Sequence, residues 1–116
     1  MKTMSNIVNI FAALADPTRL RIMTLLRSME LSVGELAQVL GQSQPRVSRH
    51  LKILADAGMV ERRKEGAWTF VGLGPEARVK PALAALDQWS LDEPESPWTV
   101  ADAARLDPFL RESRAF

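Results

Sequence analysis

The side chains best suited to specific chemistry lie between positions 43 and 64. Ser43, Gln44, Pro45, Arg46, Ser48, Arg49, His50 and Lys52 fall close together, and Arg62, Arg63 and Lys64 follow after a short interval. These residue types meet duplex nucleic acid. A Gln44 amide can pair with an adenine edge, and an Arg46 or Arg49 guanidinium with the N7 and O6 acceptors of guanine. Ser43, Ser48 and Lys52 suit phosphate oxygens, and Arg62, Arg63 and Lys64 suit the flanking backbone. The charge of the chain is segregated in the same sense: residues 42–80 hold eight Lys/Arg against four Asp/Glu, and residues 81–116 hold three against seven. A phosphate-binding surface needs such a basic middle, although an excess this small also fits a merely solvated face.

Other chemistries lack their parts. The chain has no cysteine and one histidine, His50, which excludes disulfides, thiolate metal sites and thiol redox switching. One imidazole does not make a zinc site, so His50 is expected to touch phosphate or to pack as a hydrogen-bonded flank. No G-x-S-x-G occurs, and no catalytic residue is predicted. Gly72-Leu73-Gly74-Pro75-Glu76-Ala77 fits G-x-G-x-x-A, with Asp92 downstream. A dinucleotide site, however, needs a second parallel strand after the helix, where this chain has an acidic, Pro-containing stretch. The two glycines are expected to ease a strand-to-helix corner, and no cofactor or metal is predicted. No apolar run approaches the ~18 residues of a membrane span, and no signal stretch opens the chain. The expected location is the cytoplasm.

The elements that would position the polar cluster are punctuated clearly. From Ser5, the residues Ile7, Val8, Ile10, Phe11 and Leu14 have helical spacing. Asp16-Pro17 starts a second helix, predicted to run to about Met29 and to bury Leu20, Met23 and Leu25 or Leu26. Ser32-Val33-Gly34-Glu35 is a capping box opening a third helix that ends near Leu40. Gly41 can take positive φ and Ser43 can cap a fourth helix, roughly Gln44 to Ala57, so the spacing is that of a helix-turn-helix. Val47, Leu51 and Leu54 share one face of that helix, away from Arg46, Arg49 and Lys52. Val60 to Lys64 and Trp68 to Leu73 read as a hairpin around Glu65-Gly66-Ala67, with Arg62 and Lys64 on one face and Arg63 on the other. Pro75 opens a fifth helix carrying Val79, Leu83, Leu86 and Trp89 and ending near Trp89. Asp92 to Pro97 reads as a linker, and Thr99 as the cap of a last helix interrupted or ended around Asp107-Pro108. The predicted class is mainly α with a small β-hairpin wing.

Leu14-Ala15-Asp16-Pro17-Thr18-Arg19-Leu20-Arg21-Ile22, Ser43-Gln44-Pro45-Arg46-Val47-Ser48-Arg49-His50-Leu51 and Leu54-Ala55-Asp56-Ala57-Gly58-Met59-Val60 closely resemble the ArsR family, in the family's order, and the hairpin Arg62-Arg63-Lys64-Glu65-Gly66 fits the same pattern. The resemblance covers roughly residues 7–88. It implies a dimeric winged helix-turn-helix repressor that leaves its operator when an inducer, often a metal or metalloid ion, binds. It also implies that Gln44, Pro45, Ser48 and Arg49 meet double-stranded DNA. The inducer half transfers poorly. Arsenic and cadmium sensors of the family carry Cys-Val-Cys after Glu-Leu, where this chain has Ser32-Val33-Gly34 after Glu30-Leu31. The family's other site uses Asp and His on the fifth helix, where Asp87 stands without a histidine.

The unit from 16 to 73 has its own apolar set, so the flanking helices are expected to form a homodimer interface through Ile7, Ile10, Phe11, Leu14, Val79, Leu83, Leu86 and Trp89. This divides the chain into a DNA-binding and dimerisation domain at 1–90 and a linker with a helical tail at 91–116. Two other readings stay open. One is a winged-helix module that binds protein rather than DNA. The other is the regulatory part of a fused S-adenosylmethionine-dependent methyltransferase, since the tail from Trp98 resembles the connector of such fusions.

Overall fold

The computed structural model describes residues 2–90 and 97–112, which form six helices and three short strands. Helix α1 (Lys2–Leu14) starts before the predicted Ser5 and stops at Asp16, whose extended backbone and side chain cap the next helix. The Asp16 carboxylate accepts the Arg19 backbone N–H at 3.1 Å, and Pro17 fills the first position of α2 (Pro17–Leu26). The second helix is shorter than predicted. Its last turn tightens, with Arg27 N–H donating to Thr24 and Ser28 N–H to Leu25, and the chain must be extended again by Leu31. Ile22 is buried along with Met23, Leu25 and Leu26, whereas Leu20 is only partly covered.

Strand β1 (Leu31–Ser32) was not predicted, because two residues carry no readable alternation. It pairs antiparallel with β3 (Trp68–Leu73), Leu31 opposite Val71 and Ser32 opposite Phe70. Ser32 also caps α3 (Val33–Leu40). Its hydroxyl accepts the Glu35 N–H at 3.1 Å, and the Glu35 carboxylate accepts the Ser32 N–H at 2.9 Å, the predicted capping box. Gly41 closes α3 at φ 67°, a left-handed conformation that costs glycine little. Ser43 then caps α4 (Gln44–Asp56), its hydroxyl accepting the Arg46 N–H at 3.4 Å. Val47, Leu51 and Leu54 are buried, as their shared face required.

Strand β2 (Val60–Glu65) pairs antiparallel with β3 from Val60 opposite Leu73 to Glu65 opposite Trp68, leaving Gly66 and Ala67 as a two-residue turn. The sheet order is β1-β3-β2. The corner into α5 (Glu76–Ser90) passes through a close approach, since a Cβ on Gly74 would stand 2.2 Å from the Gly58 carbonyl oxygen. Gly74 N–H donates to the Met59 carbonyl at 2.9 Å. The G-x-G-x-x-A resemblance is therefore a packing requirement of this corner.

Pro81 lies inside α5. Helix α6 (Pro97–Leu110) begins before the expected cap Thr99 and continues through Pro108. Residues 91–96 of the predicted linker lie outside the described residues. Leu106 of α6 enters the same core as Ile22, Met23, Leu31, Leu36, Leu51, Leu54, Met59 and Val71. Each fully buried side chain of this size stabilises the fold by about 1.5–3 kcal/mol. α6 is fixed on α2 and α3 by polar bonds as well. Arg21 donates to both Asp102 oxygens and to the Leu40 carbonyl, and Arg105 donates to the Val39 carbonyl. These two cations satisfy carbonyls at the end of α3, where the helix dipole favours positive charge. Among the described residues no helix is long and apolar enough to cross a membrane.

Candidate nucleic-acid interface

Helix α4 is held from behind by Val47, Leu51 and Leu54, so its other face is free to meet a partner. Ser43, Gln44, Pro45, Arg46, Ser48, Arg49 and Lys52 are all exposed. Gln44, Arg46 and Arg49 lie in the first two turns, the part of such a helix that reaches base edges in a major groove. The Gln44 amide nitrogen lies 3.3 Å from where a Cβ on Gly34 would stand, so the start of α3 borders the start of α4. Lys52 pairs with Asp56 at 3.1 Å across one exposed helical turn, a contact a phosphate can displace at little cost.

The wing separates its three cations as the strand alternation required. Cross-strand partners share a face, so Arg62 and Lys64, opposite Val71 and Thr69, lie on one side, and Arg63, opposite Phe70, on the other. Arg63 is engaged within the protein. It donates to Glu65 and, at 3.2 Å, to Glu30, and its guanidinium lies 5.3 Å from the Phe70 ring centroid. The Glu65 bond is the leading cause holding the Arg63 guanidinium above its ordinary pKa. Among the described residues Arg62 and Lys64 form no ion pair, which leaves them the stronger wing candidates.

His50 differs from its neighbours on α4. Its side chain is 17% exposed, with Nδ1 3.0 Å from the Arg19 guanidinium and 3.9 Å from Asp16. It is therefore a packed, hydrogen-bonded flank. Arg19 and Glu30 were not singled out in the sequence, because the side chains they contact, His50 and Arg63, lie 31 and 33 positions away. The only local signal for Arg19 was a cation in the first turn of a helix, where the dipole disfavours it.

The residues expected at a dimer interface divide between two faces. Ile7, Ile10, Phe11, Leu14, Leu86 and Trp89 line an apolar groove of about 390 Å³ between α1 and α5, completed by Leu20, Pro81, Ala82 and Ala85, with Arg78 on its border. Phe11 is 56% and Trp89 63% exposed. Leu83 and Val79 border a second hollow beside Arg27 and Asp87, and Val79 is buried in the chain's own core. Asp87, the fifth-helix aspartate that the resemblance singled out, receives both arms of Arg27 at 2.7 and 2.8 Å. These bonds hold its carboxyl below the usual range.

A helix-turn-helix whose second helix presents Gln and Arg, followed by a basic hairpin, defines a winged-helix DNA-binding regulator. Residues 16–62 match the model of the bacterial regulatory protein, arsR family. The chain is 36% identical over 99 residues to the arsenical resistance operon repressor of Escherichia coli (strain K12), covering 84% of this chain and 85% of that protein. It is similar to the solved structure of HlyU from Vibrio cholerae N16961, with a TM-score of 0.67 at 36% identity over 76% of this chain and 95% of that one. The homodimeric winged helix-turn-helix DNA-binding domain of Mb0332 from Mycobacterium bovis shares the fold, with a TM-score of 0.68 at 23% identity, covering 82% of this chain and 92% of that one. The chain belongs to the arsR family, and it is a DNA-binding transcriptional regulator rather than an enzyme.

Proposed function

We propose that the chain is a cytoplasmic homodimeric repressor whose two α4 helices enter successive major grooves of a pseudo-palindromic operator, released by an inducer not held through thiolates. The observation that carries the reading is that Gln44, Arg46 and Arg49 are all exposed in the first two turns of a helix whose Val47, Leu51 and Leu54 are locked into the core. Gln44, Arg46 and Arg49 read bases. Ser43, Pro45, Ser48 and Lys52 meet the backbone beside them, and Arg62 and Lys64 grip the flanking phosphates. A second copy covers the apolar groove between α1 and α5, and the two recognition helices read half-sites about 34 Å apart, one turn of DNA. The inducer has a chemistry other than that of a soft metal, since Ser32 and Gly34 stand where the family's sensors carry thiols.

The deciding experiment is selection of a preferred duplex from a random pool. Enrichment of an inverted repeat is expected, and Gln44→Ala or Arg49→Ala should cost roughly 1–3 kcal/mol on that duplex while relaxing base preference. No enrichment would favour a protein-binding module instead.

A further inference from the structure

The Arg19 side chain spans three helices. From the first turn of α2 it donates to the Ala12 and Ala13 carbonyls in the last turn of α1, and to Nδ1 of His50 in α4 at 3.0 Å. The Ala12 carbonyl also accepts the Ala15 N–H at 3.3 Å, and the guanidinium completes the cap of α1 while it holds α4. A guanidinium has only donors, so Nδ1 is the acceptor and the imidazole proton resides on Nε2. The charged groups facing the ring are Asp16 and Arg19 from the start of α2, and Arg46 and Arg49 on α4 itself. Burial, joined by the three cations and opposed by Asp16, disfavours the protonated ring and holds it below its ordinary pKa of 6.5.

We propose that His50 is a positioning residue for base recognition: the bond from Arg19 to its Nδ1 sets the seating of α4 against the end of α1, and the protein's preference for its operator depends on that bond rather than on a contact from His50 to phosphate. The inference rests on the reading of α4 as the recognition helix. Protonating the ring removes the Nδ1 lone pair and sets a cation against Arg19, so the tie is lost. The same event adds positive charge beside DNA, so non-specific affinity does not fall with it. Acid therefore erodes discrimination without weakening phosphate binding.

His50 is the only histidine, so imidazole nitrogen resonances of the labelled protein report on it directly. The expected state is an Nε2–H tautomer with a titration midpoint below 6.5. Binding is then compared on a duplex selected by the wild-type protein and on a scrambled duplex of equal length. As pH falls from about 8 to well below the measured midpoint, the wild-type preference should fall about tenfold, the scale of one charge-assisted hydrogen bond. His50→Ala at the higher pH should lose the same factor of about ten on the selected duplex only, and Arg19→Lys should match it, with no further loss in the double variant. His50→Asn, whose Oδ1 stands near the place of Nδ1 and does not titrate, should keep the preference and lose its pH dependence. An Nδ1–H tautomer, an equal loss on both duplexes in His50→Ala, or an unchanged pH profile in His50→Asn would overturn the proposal. Failure of the wild-type protein to select any duplex would overturn the recognition reading itself, and this inference with it.

Discussion

Arg21 on α2 and Asp102 on α6 form a two-pronged ion pair, at 2.8 and 2.7 Å, with side chains only 12% and 7% exposed. The Arg21 guanidinium also lies 4.8 Å from the Trp98 ring centroid. Removing one partner leaves the other charge buried without compensation. Asp102→Asn should cost about 3 kcal/mol and lower Tm by on the order of 10 °C. The double variant Arg21→Met with Asp102→Leu should regain most of this loss in thermal melts.

A second pair of variants separates rigid from yielding obstacles at the sheet corner. A Cβ on Gly74 meets the Gly58 backbone oxygen at 2.2 Å, whereas one on Gly72 meets the end of the flexible Glu30 side chain at 2.9 Å. Gly74→Ala should destabilise by about 3 kcal/mol and Gly72→Ala by less than about 1 kcal/mol in denaturant melts.

Salt dependence of DNA affinity should distinguish the wing cations. Each phosphate contact contributes about −0.9 to the slope of log K against log salt. Arg62→Ala or Lys64→Ala should flatten the slope by about one contact. Arg63→Ala should change it by less, because Glu30 and Glu65 already engage that guanidinium. An equal flattening in all three would show that Arg63 leaves its carboxylates to reach DNA.

Self-association should depend on the α1–α5 groove. Placing a carboxylate at Phe11, on its exposed border, should weaken dimerisation by at least about tenfold in sedimentation measurements. The melting temperature of the wild-type protein should rise with its concentration.

Asp16 makes stability sensitive to acid. Burial raises its pKa, but the Arg19 N–H bond, the Arg19 and His50 charges and the Thr18 N–H together hold it below the ordinary 3.8. A carboxyl lowered in the folded state stabilises above its unfolded pKa, and the gain is lost as pH falls through the folded value. Asp16→Ala should cost about 1 kcal/mol at neutral pH. The difference from wild type should shrink only below about pH 4.

The helix-turn-helix was legible because its signals are local. Ser32 with Glu35, Gly41, and Ser43 each act within a few residues, through caps and one left-handed turn. The cations on α4 and their exposure followed from the buried spacing of Val47, Leu51 and Leu54. What escaped prediction acts at a distance or against local preference. His50 and Arg19 are 31 positions apart, and Arg63 and Glu30 33 apart, so no window of sequence contains either pair. Pro108 remains inside α6 where intrinsic propensity opposes it, and strand β1 exists only because β3 supplies its partner.

Ser32 stands at the junction of sheet and helix, registered opposite Phe70 on one side and capping α3 on the other. Sheet and helix pair therefore share a joint, and the span from wing to recognition helix is expected to act like the jaws of a caliper. A duplex of the wrong groove width would have to deform to fit it. The elastic cost would fall on the DNA, so base steps that no side chain touches would still count in the choice of operator.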